Sequence, residues 1–176
     1  MKIVVTLLLL PMALLGQKFT VDQSKVTFFS DAALEDIYAE NTKTASLYNL
    51  DTQDIVFSIP IKEFAFDKGL MKEHFNEKYL ESEKFPKSVF QGKIENFDPA
   101  KAGIQNVMAR GKLTIHGVTK EVTVPGTIER LGDRLSIKSK FVVKLEDYNV
   151  ERPKLLWQKI AEEVEVSVDL QYKPVK

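Results

Sequence analysis

Between Val107 and Thr127 apolar and polar side chains alternate with a period of two, the pattern of a sheet with one dry and one wet face. A two-residue turn at His116-Gly117 folds this stretch into a β-hairpin. Ile115 then faces Val118, and the following same-face pairs are Leu113 with Lys120, Gly111 with Val122, Ala109 with Val124 and Val107 with Gly126. Arg110, Lys112, Thr114, Thr119, Glu121, Thr123 and Thr127 fall on the opposite face. The dry face is unusually small. Its glycines and alanine either leave room for a ligand or mark a bend at a barrel corner, and both readings stay open at this level.

The same alternation predicts six further strands. The first runs from Lys18 to Ser30 with a break near Asp22-Gln23-Ser24, and the second from Thr44 to Leu50. Ile55, Phe57, Ile59 and Ile61 mark the third, in which Pro60 points to an edge or a bulge. Lys87 to Asn96 forms the fourth. After the hairpin, Leu135, Ile137, Ser139, Phe141, Val143 and Leu145 define the seventh, and Val164 to Tyr172 the eighth. Helical spacing is confined to three short stretches. These are Ala32 to Ala39, Leu70 to Leu80 with Met71, Phe75 and Tyr79 four apart, and a segment after Pro153 that holds Leu155, Leu156 and Trp157. Eight antiparallel strands with a consistent inner face predict an all-β closed barrel with one to three short helices, because closure removes the exposed edges.

The N-terminus alters the expected compartment. Lys2, an apolar run from Ile3 to Leu15 and a small residue at Gly16 read as a secretory signal peptide over residues 1–16, too short to span a bilayer as a helix. Residues 17–176 then form one domain, periplasmic or secreted. The chain has 25 basic and 25 acidic side chains, and loss of the signal removes only Lys2, leaving a net charge of −1. No basic field for nucleic acid and no polybasic membrane anchor results. There is no cysteine, hence neither a disulfide nor a lipidated thiol.

Catalytic chemistry is thinly represented. His74 and His116 are the only histidines, and no Gly-x-Ser-x-Gly elbow, phosphate-cradling loop or dinucleotide fingerprint is present. His116 reads as a turn residue that tolerates a left-handed backbone. His74 with Glu73 and Glu77 reads as the solvated side of an amphipathic helix, with a metal site or a histidine-dependent enzyme as the minor alternative. The apolar interior is the stronger candidate. Phe28, Phe57, Phe90, Ala109, Gly111, Val122, Val124, Gly126, Phe141, Val143 and Val166 are expected to face inward and line a ligand space, with Trp157 covering or plugging one mouth. The expected partner is an apolar small molecule, with no cofactor beyond a bound lipid. A filled barrel serving as a protein-interaction module is the alternative, and a homodimer is compatible with either.

Three motifs carry a family resemblance. The segments Gly111-Lys112-Leu113-Thr114-Ile115-His116-Gly117-Val118-Thr119-Lys120 and Tyr79-Leu80-Glu81-Ser82-Glu83-Lys84-Phe85-Pro86-Lys87-Ser88-Val89-Phe90, with Asp147-Tyr148, resemble the YceI-like family over Gln17 to Lys176. That resemblance implies a lipocalin-like periplasmic barrel that binds a polyisoprenoid or another amphiphile in an extended tunnel. One departure stands out. The family's Arg-Asp-x-His-Leu segment is replaced by Met71-Lys72-Glu73-His74-Phe75, so ligand identity does not transfer unchanged.

Overall fold

The structure is a computed structural model and describes residues 17–31, 36–151 and 161–175. The signal-peptide reading over 1–16 and the segment containing Pro153 and Trp157 lie outside the described residues. Ten strands are present: β1 Lys18–Ser30, β2 Ile37–Asn41, β3 Ala45–Asn49, β4 Asp54–Pro60, β5 Ala65–Phe66, β6 Lys87–Glu95, β7 Ile104–Ile115, β8 Val118–Leu131, β9 Arg134–Lys144 and β10 Glu163–Pro174. Eight of them close a ring in the order β1-β3-β4-β6-β7-β8-β9-β10, and β10 pairs back onto β1 from Phe19↔Pro174 to Phe29↔Glu165. Every neighbouring pair in the ring is antiparallel, as the alternation predicted.

β2 and β5 extend this ring at one end. β3 covers only the beginning of β1, at Lys18–Thr20, and β2 takes over the same edge at Val26–Ser30 before pairing with β5. Residues 37–39, expected at the end of a helix, are therefore strand. The edge of β1 beyond β3 offers unpaired backbone groups, and Ile37 and Ala39 are buried there while Tyr38 stays exposed. Pairing with β1 overrides a local helical tendency. Residues 32–35 lie outside the described set. Asn41 spans the discontinuity between β2 and β3: its side-chain amide donates to Pro60 O at 2.8 Å, and its side-chain oxygen accepts from Lys43 N at 2.8 Å. Pro60 sits where β4 has run past the end of β3, the edge position that a residue without an N–H requires.

The break expected near Asp22 is a β-bulge. The register of β1 against β10 shifts between Val21 and Gln23, and the Asp22 carboxylate accepts from Arg134 Nη1 at 2.6 Å and Lys173 Nζ at 2.7 Å. The β7–β8 hairpin has the expected register, Ile115↔Val118 through Val107↔Gly126. His116 (φ 50°) and Gly117 (φ 75°) both take the positive φ that a tight hairpin turn demands.

At the glycines of the dry face an added side chain would run into neighbouring backbone. Gly92 of β6 pairs directly with Gly111 of β7, and a Cβ at Gly111 would lie 2.5 Å from Gly92 Cα and closer still to Gln91 O. A Cβ at Gly126 would meet Lys138 O at 2.7 Å. The small side chains therefore serve close approach of backbones where the sheet curls. Phe90 folds its own ring over Gly92, and Phe57 stacks on Phe90 with centroids 5.3 Å apart.

The far end of the barrel is densely filled. Phe19, Tyr48, Leu135, Leu170 and Tyr172 are at most 1% exposed there. The Tyr172 and Ser46 hydroxyls are 2.6 Å apart, and Ser46 Oγ donates to Val56 O at 2.8 Å.

Candidate functional site

At the other end, where β1, β4, β7 and β9 finish, the barrel opens into an apolar cavity of about 130 Å³. Its cover comes from the chain between β4 and β6. A 3-10 turn at Ile61–Glu63 leads to Phe64 and β5, then to α1 (Gly69–His74) and a π turn over Phe75–Tyr79. The four-residue spacing of Met71, Phe75 and Tyr79 puts all three on one face, and that face lines the cavity. The single helix expected over Leu70 to Leu80 is thus an α turn that widens to a π turn at Phe75, a device common where a helix is adapted to a site.

Four rings form the cavity's aromatic wall. Phe28 from the barrel contacts Phe64, Phe66 and Phe75 from the cover at centroid separations of 5.4, 5.8 and 5.3 Å. Phe75 also meets Phe64 at 5.5 Å and Phe66 at 5.0 Å. Edge-to-face and stacked pairs at these distances each contribute about 0.5–1.5 kcal/mol beyond area burial, so the cover is held chiefly by its rings.

Polar groups in the cavity wall are few. Ser30 Oγ accepts from Ala161 N at 3.1 Å, Ser88 is buried, and His74 is half-buried at the wall. Burial pushes the Tyr79 and Tyr148 phenols above their ordinary value. Among the described residues no carboxylate, lysine or arginine lines the space. Among the described residues no cluster of three His, Asp or Glu side chains is arranged to hold a metal ion.

A smaller void of about 40 Å³ lies deeper. Among the residues expected to line a ligand space, Phe28, Phe57, Phe141, Val143 and Val166 line the mouth cavity. Phe90, Ala109, Val122, Val124 and Gly126 border the deeper void, which Phe57 and Phe141 also touch. Gly111 borders neither, and Trp157 lies outside the described residues. Sequence reasoning missed Phe64, Phe66, Phe75 and His74 as cavity residues. The Phe64-Ala65-Phe66 alternation was a signal for two of them, but it is too short to indicate which strand it joins.

His116 does more than turn the hairpin. Its Nδ1 lies 3.2 Å from Tyr148 O, its Nε2 lies 2.7 Å from Glu81 Oε2, and its ring meets Phe85 edge-on at 4.6 Å. The hairpin tip, the end of the cover and the turn at Leu145–Tyr148 are tied together at this one side chain.

The YceI-like domain model matches residues 18–172 of the chain. Three solved structures share the fold. A polyisoprenoid binding domain from Saccharophagus degradans, implicated in plant cell wall breakdown, superposes with a TM-score of 0.78 at 14% identity, covering 89% of this chain and 98% of that one. BcnA from Burkholderia cenocepacia gives 0.71 at 20% identity, with 84% and 95% covered. The YceI protein of Campylobacter jejuni gives 0.59 at 12% identity, with 99% and 94% covered. No curated protein sequence matches the chain.

Proposed function

Because this chain belongs to the YceI-like family, we propose that it binds the apolar end of a polyisoprenoid, quinone or fatty-acyl molecule, without covalent chemistry, in the cavity at the barrel mouth. The observation that carries this reading is a mouth cavity walled by the Phe28, Phe64, Phe66 and Phe75 rings, with no carboxylate, lysine or arginine among the described residues that line it. Such a space favours hydrocarbon and leaves a polar head group at the opening. The polyisoprenoid-binding description of the Saccharophagus degradans neighbour supports the ligand class.

The energetics set a condition on the ligand. Each methylene taken from water contributes about 0.8 kcal/mol, so eight contribute roughly 6 kcal/mol before association costs. Micromolar binding needs about 8 kcal/mol net. An aromatic or branched end group, or contacts at the rim, must therefore add to a simple chain.

The reading is one of carriage without turnover. His74 is the imidazole on the cavity wall, and among the described residues that line it no acidic side chain stands beside it. Removal of residues 1–16 as a signal peptide would place the domain in the periplasm or outside the cell, a reading supported by the apolar run from Ile3 to Leu15. The decisive experiment is organic-solvent extraction and native mass spectrometry of the purified protein. A co-purifying apolar molecule that a Phe75→Ala variant fails to retain is the expected result. Protein that stays free of lipid, and that takes up no fluorescent apolar probe, refutes the proposal.

A further inference from the structure

The mouth cavity and the deeper void lie along one barrel axis but are separated. Phe57, Leu113, Phe141 and Val168 border both spaces, so these side chains form the partition between them. They converge from four strands. Phe57 of β4, Phe90 of β6 and Leu113 of β7 stand in one register row, Phe57↔Phe90 and Phe90↔Leu113. Phe141 enters from β9, in register with Val166 of β10, which in turn pairs with Phe28 of β1.

The partition is braced from behind. Phe57 stacks on Phe90 at an interplanar angle of 21°, and Phe90 is in turn seated on the Gly92–Gly111 crossing, where no further side chain fits. Phe57 and Phe141 are both half-buried, whereas Leu113 and Val168 are buried, and of the two rings Phe57 is the one stacked on Phe90.

We infer that Phe57, backed by Phe90, is the floor of the binding site and sets the length of apolar chain that the protein accepts. This rests on the carrier reading above and names its specificity determinant. The space above the floor, about 130 Å³, is close to the roughly 150 Å³ apolar cavity that takes one benzene. A chain end of that bulk fills it, and any longer chain leaves its remainder at the opening. Removal of the Phe57 ring joins the upper space to the deeper void and lets the chain end descend.

The test is a homologous series of straight-chain 1-alkanols, propanol to hexadecanol, measured by displacement of a fluorescent apolar probe from the purified protein. In the wild type each added methylene tightens binding about fourfold until the chain end reaches the floor, after which the gain stops. Phe57→Ala moves that limit to a longer alkanol. Phe57→Leu, which keeps an apolar side chain of shorter reach and safeguards folding, moves it less far. An affinity that keeps rising through the whole series in the wild type overturns the floor. So does a limit unchanged in variants whose circular dichroism is native. If no alkanol of any length displaces the probe from wild-type protein, the carrier reading itself falls, a result distinct from the other two.

Discussion

Gly111→Ala adds one methyl group at the tightest point of the barrel wall. The new Cβ would stand 2.5 Å from Gly92 Cα and nearer still to Gln91 O, whereas ordinary contact begins near 3.4 Å. Both obstacles are backbone, so no rotamer change relieves them, and β6 must move away from β7. Overpacking that side chains absorb costs about 1–3 kcal/mol. Here the sheet absorbs it, which weakens one or two ladder hydrogen bonds at about 0.5–1.5 kcal/mol each. The reduced entropy of the unfolded chain returns about 0.4–1 kcal/mol. The net expectation is a loss of about 2–3 kcal/mol. For a domain of this size that is a fall in melting temperature of roughly 4–12 °C, readable by thermal and urea unfolding followed by circular dichroism. Gly69→Ala is the matched control. It opens α1 with nothing within 4 Å of its absent Cβ, and alanine there should hold stability or raise it by up to about 1 kcal/mol. A Gly111→Ala variant within about 0.5 kcal/mol of wild type would mean that the glycine pair is not a steric requirement.

Four further outcomes are expected. The Tyr48 hydroxyl is buried without a hydrogen-bond partner among the described residues, so Tyr48→Phe should gain about 1 kcal/mol in urea unfolding, and a loss of that size would reveal a partner. Burial raises the Tyr48 and Tyr172 phenols, so the folded state holds their protons longer than the unfolded chain does; stability should be constant below about pH 10 and fall above it, unless ultraviolet titration of the native protein finds both ionising near 10. His116→Asn retains a residue suited to the left-handed turn but removes the contacts to Tyr148, Glu81 and Phe85, and it should cost about 1–3 kcal/mol; wild-type stability in that variant would return His116 to a turn role alone. Hydrogen bonds from Lys173 and Arg134 lower the Asp22 carboxyl, so their contribution is present above about pH 4 and fades as pH falls through the depressed value. Wild type and Asp22→Asn should accordingly converge in stability on acidification, and parallel curves would exclude the linkage.

The strands and the hairpin register were legible in the chain because they depend on local rules. A period of two assigns each side chain to a face without reference to any partner, and His116-Gly117 specifies its turn through backbone conformations that few residue pairs accept. The bulge at Asp22 and the edge position of Pro60 were visible for the same reason: each interrupts that period or lacks a donor. Closure into a barrel followed from the count of half-buried strands, and the family resemblance from contiguous motifs. What fills the interior depends on residues distant in the chain. Ile37 to Ala39 became strand because the far half of β1 offered an open edge, and no local propensity encodes that vacancy. The aromatic wall draws Phe28, Phe64, Phe66 and Phe75 from separate segments, and a ring's contacts are not contained in its sequence neighbours. Gly92 and Gly111 look alike whether a glycine borders a cavity or a neighbouring backbone; only the separation of β6 and β7 distinguishes the two, and it is set by the curl of the whole closed sheet.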